Sequence, residues 1–204
     1  MPISKDREYR MMSLLTTTTQ KRLESDFYVE GFATTFNKPY QLYEYDGVRY
    51  MEEIDRHALD GADLSDIIMQ YDHHGTVFAR TKMGGGRQPT LIAEPHESGF
   101  FIAADLSKTE AAKRMYEEIT SGLIYQMSWA FTVDEEAYDR ETRTRKILRI
   151  KKVYDVSAVS IPANRDTEIS ARSWLDGVIE AEKREALAQL ELSKAKYNYF
   201  FGGN

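Results

Sequence analysis

The chain has 204 residues, of which 42% are hydrophobic, and this length favours one domain with an appendage and enough apolar residues for a core. Its formal net charge of −6 argues against a protein that binds duplex nucleic acid, because such proteins carry a basic surface. The absence of cysteine excludes disulfides, thiolate metal sites and a cysteine nucleophile, and no apolar run approaches the ~20 residues that cross a membrane.

The N-terminal half predicts a loose arm followed by short strands. Residues 1–20 are polar and end in a run of threonines, so we expect a flexible arm. An aromatic-rich strand follows within residues 24–37 and ends at the turn-prone Asn37-Lys38-Pro39. Two further strands flank Asp46-Gly47, a dipeptide that favours a tight hairpin turn. Residues 67–81 predict another strand, interrupted near Gly75.

The C-terminal half adds helices to this strand pattern. Residues 91–107 predict a hairpin, and residues 108–123 predict a helix that ends near Gly122. A charged hairpin tip then separates strand 125–133 from one long strand, or two, over residues 147–163. The rest of the chain predicts a terminal helix. This order predicts an α+β fold whose mostly antiparallel sheet closes into a barrel.

The strand "YQMSWAFTV" has two different faces. Met127, Trp129 and Phe131 alternate with Gln126, Ser128 and Ala130, which places large apolar side chains on one face and small or polar ones on the other. A solvated sheet face is one explanation. The other is a nucleophilic serine that needs room for a substrate, which predicts that Ser128 lies in a surface groove.

The histidines carry no metal signature. His73 and His74 are adjacent, and neighbouring residues of a strand point to opposite faces, so one metal ion cannot easily bind both. No HxH or HExxH spacing occurs. We therefore predict neither a metal ion nor another cofactor. A hydrogen-bonded surface histidine and a catalytic base both stay open for His73.

Asp155 has apolar neighbours in the stretch "VYDVSAV". A carboxylate in such a strand is costly unless it is paired, either with an imidazole N–H or with an arginine. A serine nucleophile needs a base, and that base needs a group that orients it. His73, Ser128 and Asp155 supply these residue types, although their spacing alone does not show that they are close together.

Five segments, taken together and in order, resemble the prohead maturation proteases of tailed bacteriophages, a family related to the herpesvirus assembly proteases. They are "EGFATTFN", "DRHALDGADLSD", "YDHHGTVFART", "GLIYQMSWAFTV" and "VYDVSAVSIPANRDTEIS". The resemblance implies a herpesvirus-protease-like fold, a closed β-barrel with surrounding helices. It also implies that the catalytic residues are His73, Ser128 and Asp155, and that His73 rather than His74 contacts the serine.

The same resemblance implies the function, partners and location. We expect a serine endopeptidase that cleaves phage major capsid protein and its scaffold segment or scaffold protein, and itself, inside the prohead in the bacterial cytoplasm. A homo-oligomer is compatible with this reading, whereas nucleic acid and membrane partners are not expected. A non-catalytic scaffold or capsid-assembly protein on the same fold is the alternative.

Three segments are expected. Residues 1–20 are the flexible arm, residues 21–170 the protease domain, and residues 171–204 a C-terminal helix and tail. The two ends are candidates for targeting or for removal by cleavage.

Overall fold

The computed structural model describes residues 7–14, 21–160 and 165–201. These residues form ten β-strands and two α-helices. The elements are β1 (Glu8–Leu14), β2 (Tyr28–Thr35), β3 (Tyr40–Tyr45), β4 (Val48–Ile54), β5 (Ile68–Tyr71), β6 (His74–Arg80), β7 (Leu91–His96), β8 (Gly99–Asp105), α1 (Glu110–Thr120), β9 (Gln126–Asp139), β10 (Thr144–Val159) and α2 (Arg165–Phe201).

Two sheets carry the fold. The larger one has seven strands: β1, β9, β10, β4 and β3 follow one another, and the β5–β6 hairpin joins it through β10. The smaller one has the order β2, β8, β7. The two longest strands, β9 and β10, form an antiparallel pair at the centre of the larger sheet. The molecule is therefore organised around this pair.

The hydrophobic core lies between the two sheets. Met127, Trp129 and Phe131 on β9 are fully buried and belong to the same cluster as residues of β2 and β8. The Trp129 ring lies 5.6 Å from the ring of Phe100 on β8, measured between centroids. Fully burying one large apolar side chain stabilises a fold by about 1.5–3 kcal/mol, so this face of β9 holds the sheets together.

The predicted barrel fold is wrong. Strands outnumber helices, since only two α-helices occur among the described residues, and neither sheet closes on itself. Over the residues that the structure describes, the fold is therefore mostly β and lacks the expected closed barrel with surrounding helices. The sheets meet through side chains rather than through a continuous hydrogen-bonded ladder, and alternation within single strands cannot distinguish these two arrangements.

Several local predictions are confirmed. Asp46 and Gly47 both have positive φ, 51° and 75°, and connect β3 to β4. Such angles are those of the tight turns that match the twist of a hairpin. Helix α1 begins after Thr109, whose side chain accepts a hydrogen bond from the Ala112 N–H, and Gly122 with φ 78° follows its end.

Strand β10 has different partners along its two halves. Residues 144–147 pair in parallel with β4, and residues 155–158 pair in parallel with β5. Strand β9 runs antiparallel along the other edge of both halves. Each half of β10 therefore brings a different group of side chains against β9.

A buried ionic network lies beside the first half of β10. Arg10 on β1 binds Glu8 at 2.6 Å and Glu52 on β4 at 2.7 Å. Arg145 on β10 donates to Glu8 at 2.6 Å, to Glu52 at 3.1 Å and to Glu136 on β9 at 2.9 Å. These contacts connect four strands of the larger sheet.

Electrostatics hold this network in its charged form. Burial favours the neutral carboxylic acid of Glu8, but Arg10 and Arg145 outweigh it and lower the pKa of Glu8 to about 2. Burial opposes the charge of Arg10, whereas Glu52 and Glu8 raise its pKa well above the usual value. Burial and then Glu52 raise the pKa of Tyr40, whose hydroxyl donates to Glu52. Glu8 and Arg10 therefore stay ionised over the neutral range, whereas the Tyr40 hydroxyl keeps its proton.

Parts of both ends of the chain are among the described residues, and the division into three segments stays a prediction. Residues 8–14 of the expected arm form β1, while residues 1–6 and 15–20 lie outside the described residues. Helix α2 runs through the expected boundary at residue 170, and its buried Val178 packs with Tyr50 on β4. Among the described helices, none has the length and apolar character needed to span a membrane.

Candidate active site

Ser128 lies on β9 directly opposite Ser157 on β10. The alternation of large and small side chains along β9 is present, because Met127 and Trp129 point into the core between the sheets. Ser128 itself is only 5% exposed, so the prediction of a surface groove is wrong. β1 and β10 occupy the two edges of β9 at this point, and His73 covers the Ser128 hydroxyl on the face opposite the core.

His73 lies in a tight turn rather than within a strand. Tyr71 and His74 pair across the β5–β6 hairpin, and Asp72 and His73 form the two-residue connection with φ angles of 47° and 61°. Two positive φ values in succession are typical of this type of hairpin turn, in which aspartate and histidine are tolerated better than most residues. The interruption predicted near Gly75 therefore lies two to three residues earlier.

Asp72 attaches this turn to the end of β10. Its backbone N–H donates to the carbonyl of Ala158 at 3.0 Å. Its carboxylate accepts hydrogen bonds from the N–H of Ser160 at 3.0 Å and from the Ser160 hydroxyl at 2.9 Å. These bonds fix the turn next to the two central strands, and His73 is thereby held over β9.

The structure brings the three predicted site residues into one hydrogen-bonded chain. Nε2 of His73 lies 2.7 Å from Oγ of Ser128, and Nδ1 lies 2.5 Å from Oδ1 of Asp155. With Asp155 ionised, Nδ1 carries the proton and donates to the carboxylate, so Nε2 is free to accept the proton of the serine hydroxyl. This is the arrangement that a base-activated serine requires.

Asp155 is buried, with 3% of its surface exposed. Besides His73, it accepts a hydrogen bond from the hydroxyl of Ser157 at 2.8 Å. Among the described residues, the hydrogen bonds to Asp155 come from these two side chains and not from an arginine. The imidazole alternative of the sequence analysis is therefore the one that the structure shows.

The other histidines have different contacts. Nδ1 of the exposed His74 lies 2.6 Å from the carbonyl oxygen of Asp72, and Nδ1 of His57 lies 2.9 Å from Asp60. The ring of His96 is near Phe32. Within residues 7–14, 21–160 and 165–201, no group of three or more acidic or histidine side chains could hold a metal ion. His73, and not His74, is thus the histidine at Ser128.

Two neighbours of this site were missed by sequence reasoning. Ser157 follows Asp155 by two residues, so the two-residue period of a strand places both on one face, and this spacing is the signal in the sequence for their contact. Tyr9 on β1 contacts His73 edge to face, with ring centroids 4.5 Å apart. Nothing in the sequence pairs an N-terminal tyrosine with a residue 64 positions later, so only the tertiary structure could reveal it.

A family model described as caudovirus prohead serine protease matches residues 15–178. Neither the curated proteins nor the solved structures contain a match to this chain. The family match spans β2 to β10 and most of the chain, and the predicted resemblance is confirmed. The chain belongs to the caudovirus prohead serine protease family, a family of proteases that act in phage capsid maturation.

Proposed function

We propose that this member of the caudovirus prohead serine protease family is an active endopeptidase with Ser128 as nucleophile, His73 as general base and Asp155 as the residue that orients His73. The observation that carries the proposal is the continuous hydrogen-bonded chain from Asp155 through His73 to Ser128. A serine without such a base is a poor nucleophile at neutral pH.

The reaction follows from this geometry. Oγ of Ser128 forms a bond to the peptide carbonyl carbon while its proton passes to Nε2 of His73. The carboxylate of Asp155 stabilises the resulting imidazolium. His73 then returns the proton to the departing amine as the C–N bond breaks, which leaves an acyl-enzyme. Water, deprotonated by His73, hydrolyses the ester and regenerates the serine.

The substrates that we propose are the phage major capsid protein, with its scaffold segment or scaffold protein, and the protease chain itself. The family name supports a location in the prohead, and the capsid and scaffold are the polypeptides that we expect such a shell to concentrate around the protease. Self-cleavage is included because the ends of the same chain are held at a high effective concentration near the site. The homo-oligomer stays a prediction from the family resemblance.

The test compares wild type, Ser128→Ala and Ser121→Ala, each co-expressed with the phage capsid protein. Ser121 is an exposed serine at the end of α1, which makes it a matched control outside the site. Intact mass spectrometry over time should show cleavage of the capsid protein and of the protease with wild type and Ser121→Ala, but not with Ser128→Ala.

Two results would contradict the proposal. Identical fragments with Ser128→Ala would show that a host protease cuts the proteins. Intact proteins in all three samples would instead favour the alternative of a non-catalytic scaffold or assembly protein on this fold.

A further inference from the structure

The strand that carries Ser128 has a partner on both edges. β10 occupies one edge, and β1 occupies the other with Met11 directly opposite Ser128. Extended peptides bind many proteins by adding a strand to a free sheet edge. In this arrangement β9 has no free edge at the position of the serine.

The side chains of Ser128 and His73 are also shielded from solvent. Ser128 is 5% exposed, and the His73 side chain is equally buried, with Tyr9 of β1 packed against its ring. A peptide carbonyl must come within roughly 3–3.5 Å of the serine oxygen before it can react. β1 therefore both pairs with the serine strand and supplies a side chain that covers the base.

The ion pair that attaches β1 to the sheet can separate together with this strand, and each buried charge that remains then keeps a partner of opposite charge. Glu8 and Arg10 bind each other, and together they are neutral. When both are removed, Arg145 keeps its contacts with Glu52 and Glu136, which lie on β4 and β9. The rest of the network therefore stays paired if β1 separates from the sheet.

The family match provides an independent observation. It starts at residue 15, after the end of β1, and includes β9, β10 and the hairpin that carries His73. The part of the chain that the family model describes thus contains the whole candidate site but not β1.

We infer that the edge of β9 beneath β1 is the binding site for the substrate polypeptide, which takes an extended conformation, and that β1 occupies this site in the resting protein. The substrate replaces β1, pairs with β9 alongside Ser128 and brings its scissile carbonyl to Oγ. This inference rests on the proposed function, because it assigns a substrate site to the same serine. It adds that the protease is held inactive by its own N-terminal strand.

One test loosens β1 and measures access to Ser128. The double variant Glu8→Gln, Arg10→Gln removes the neutral pair, while Glu44→Gln, Arg49→Gln removes an exposed pair on β3 and β4 as the matched control. Diisopropyl fluorophosphate is the probe: Oγ of Ser128 bonds to phosphorus, fluoride leaves and His73 takes the proton. We expect the first variant to be labelled at least about tenfold faster than wild type and the control to be unchanged, since reactivity scales with the open fraction.

A second test fixes β1 in place. Tyr9 and Ala130 are directly opposite on antiparallel strands, a separation of about 4.5–5.5 Å between Cα atoms that suits a disulfide. The chain has no cysteine, so Tyr9→Cys with Ala130→Cys creates a single possible bridge. Labelling by the same probe should be suppressed in the oxidised protein and restored by reductant, with Tyr9→Cys alone insensitive to oxidation.

The outcomes separate the two proposals. Equal labelling of the oxidised and reduced bridge variant, or no acceleration in the Glu8→Gln, Arg10→Gln variant, would overturn the inference while leaving Ser128 as the nucleophile. If the probe labels Ser128 in none of the proteins, the proposed function fails and the inference fails with it. Circular dichroism of each variant checks that the strands are retained.

Discussion

The two halves of β10 hold buried polar groups of different kinds. Beside β4, Arg145 and Arg10 form buried ion pairs with Glu8 and Glu52. Beside β5, Asp155 accepts hydrogen bonds from the imidazole of His73 and the hydroxyl of Ser157, and the other nitrogen of the imidazole contacts Ser128. A network of fixed charges holds strands together but cannot move a proton at pH 7, whereas a chain centred on histidine can.

The difference shows how one strand can serve both purposes. Removing a member of the ionic network leaves its buried neighbours with fewer partners of opposite charge, and the cost appears in the free energy of unfolding. Removing a member of the Ser128–His73–Asp155 chain leaves polar groups whose burial costs less free energy. The loss therefore appears as a lower reaction rate rather than as a lower stability. Four predictions test this contrast, from the largest expected effect to the smallest.

The substitution Asp155→Asn should lower kcat by roughly 10⁴-fold, because an amide that donates to His73 stabilises the wrong tautomer. The fold should be retained, since asparagine has nearly the same shape. The measurement is the turnover of the capsid protein substrate, with Asp134→Asn at an exposed ion pair as control. Unchanged turnover would remove Asp155 from the mechanism.

The substitution Arg145→Met should destabilise the protein by about 3–5 kcal/mol, because it leaves three glutamates with one arginine in a buried region. Arg149→Met is the matched control on the same strand: Arg149 is exposed and binds Asp134 and Glu135. An exposed pair contributes about 0–1 kcal/mol. Urea unfolding measures both, and similar losses for the two variants would contradict the contrast.

Acid should weaken the ionic network through Glu8. The folded-state pKa of Glu8, about 2, is below its usual value of 4.5. Its contribution is therefore fully present above pH 4.5 and is lost as the pH falls from 4.5 towards 2, which amounts to about 2–3 kcal/mol. Unfolding free energies of wild type should show this loss, and those of Glu8→Gln should show a smaller one. Parallel pH curves would contradict the assignment.

The smallest expected effect is that of Ser157→Ala. Its hydroxyl donates to the same oxygen of Asp155 that His73 contacts, so Ser157 is a positioning residue. Losing this hydrogen bond should cost about 0.5–1.5 kcal/mol of transition-state stabilisation, roughly tenfold or less in kcat. The acidic limb of kcat/KM against pH should move to higher pH, because a carboxylate with one donor fewer holds the protonated base more strongly.

Ser157→Thr is the matched control for this prediction, since it retains the hydroxyl. It should restore both kcat and the position of the acidic limb. If Ser157→Ala and Ser157→Thr have the same pH profile, Ser157 contributes only to packing.

Much of the fold around Ser128 could be predicted because it is local. The alternation of Met127, Trp129 and Phe131 with Ser128 follows from the two-residue period of a strand, and the structure places these three side chains in the core. The Asp46-Gly47 turn and the end of α1 near Gly122 are equally local, because each depends on the conformational freedom of one or two residues.

The sequence by itself determined which side chains share a face of β9 and which residue types could act together, while their proximity had to be taken from the family resemblance. The tertiary structure alone decided that Asp72 and His73 form a turn held by Ser160, that β1 covers the edge of β9, and that the sheets stay open. The physical reason is that strand pairing joins residues far apart in the chain, such as Met11 and Ser128, through backbone groups that every sequence possesses.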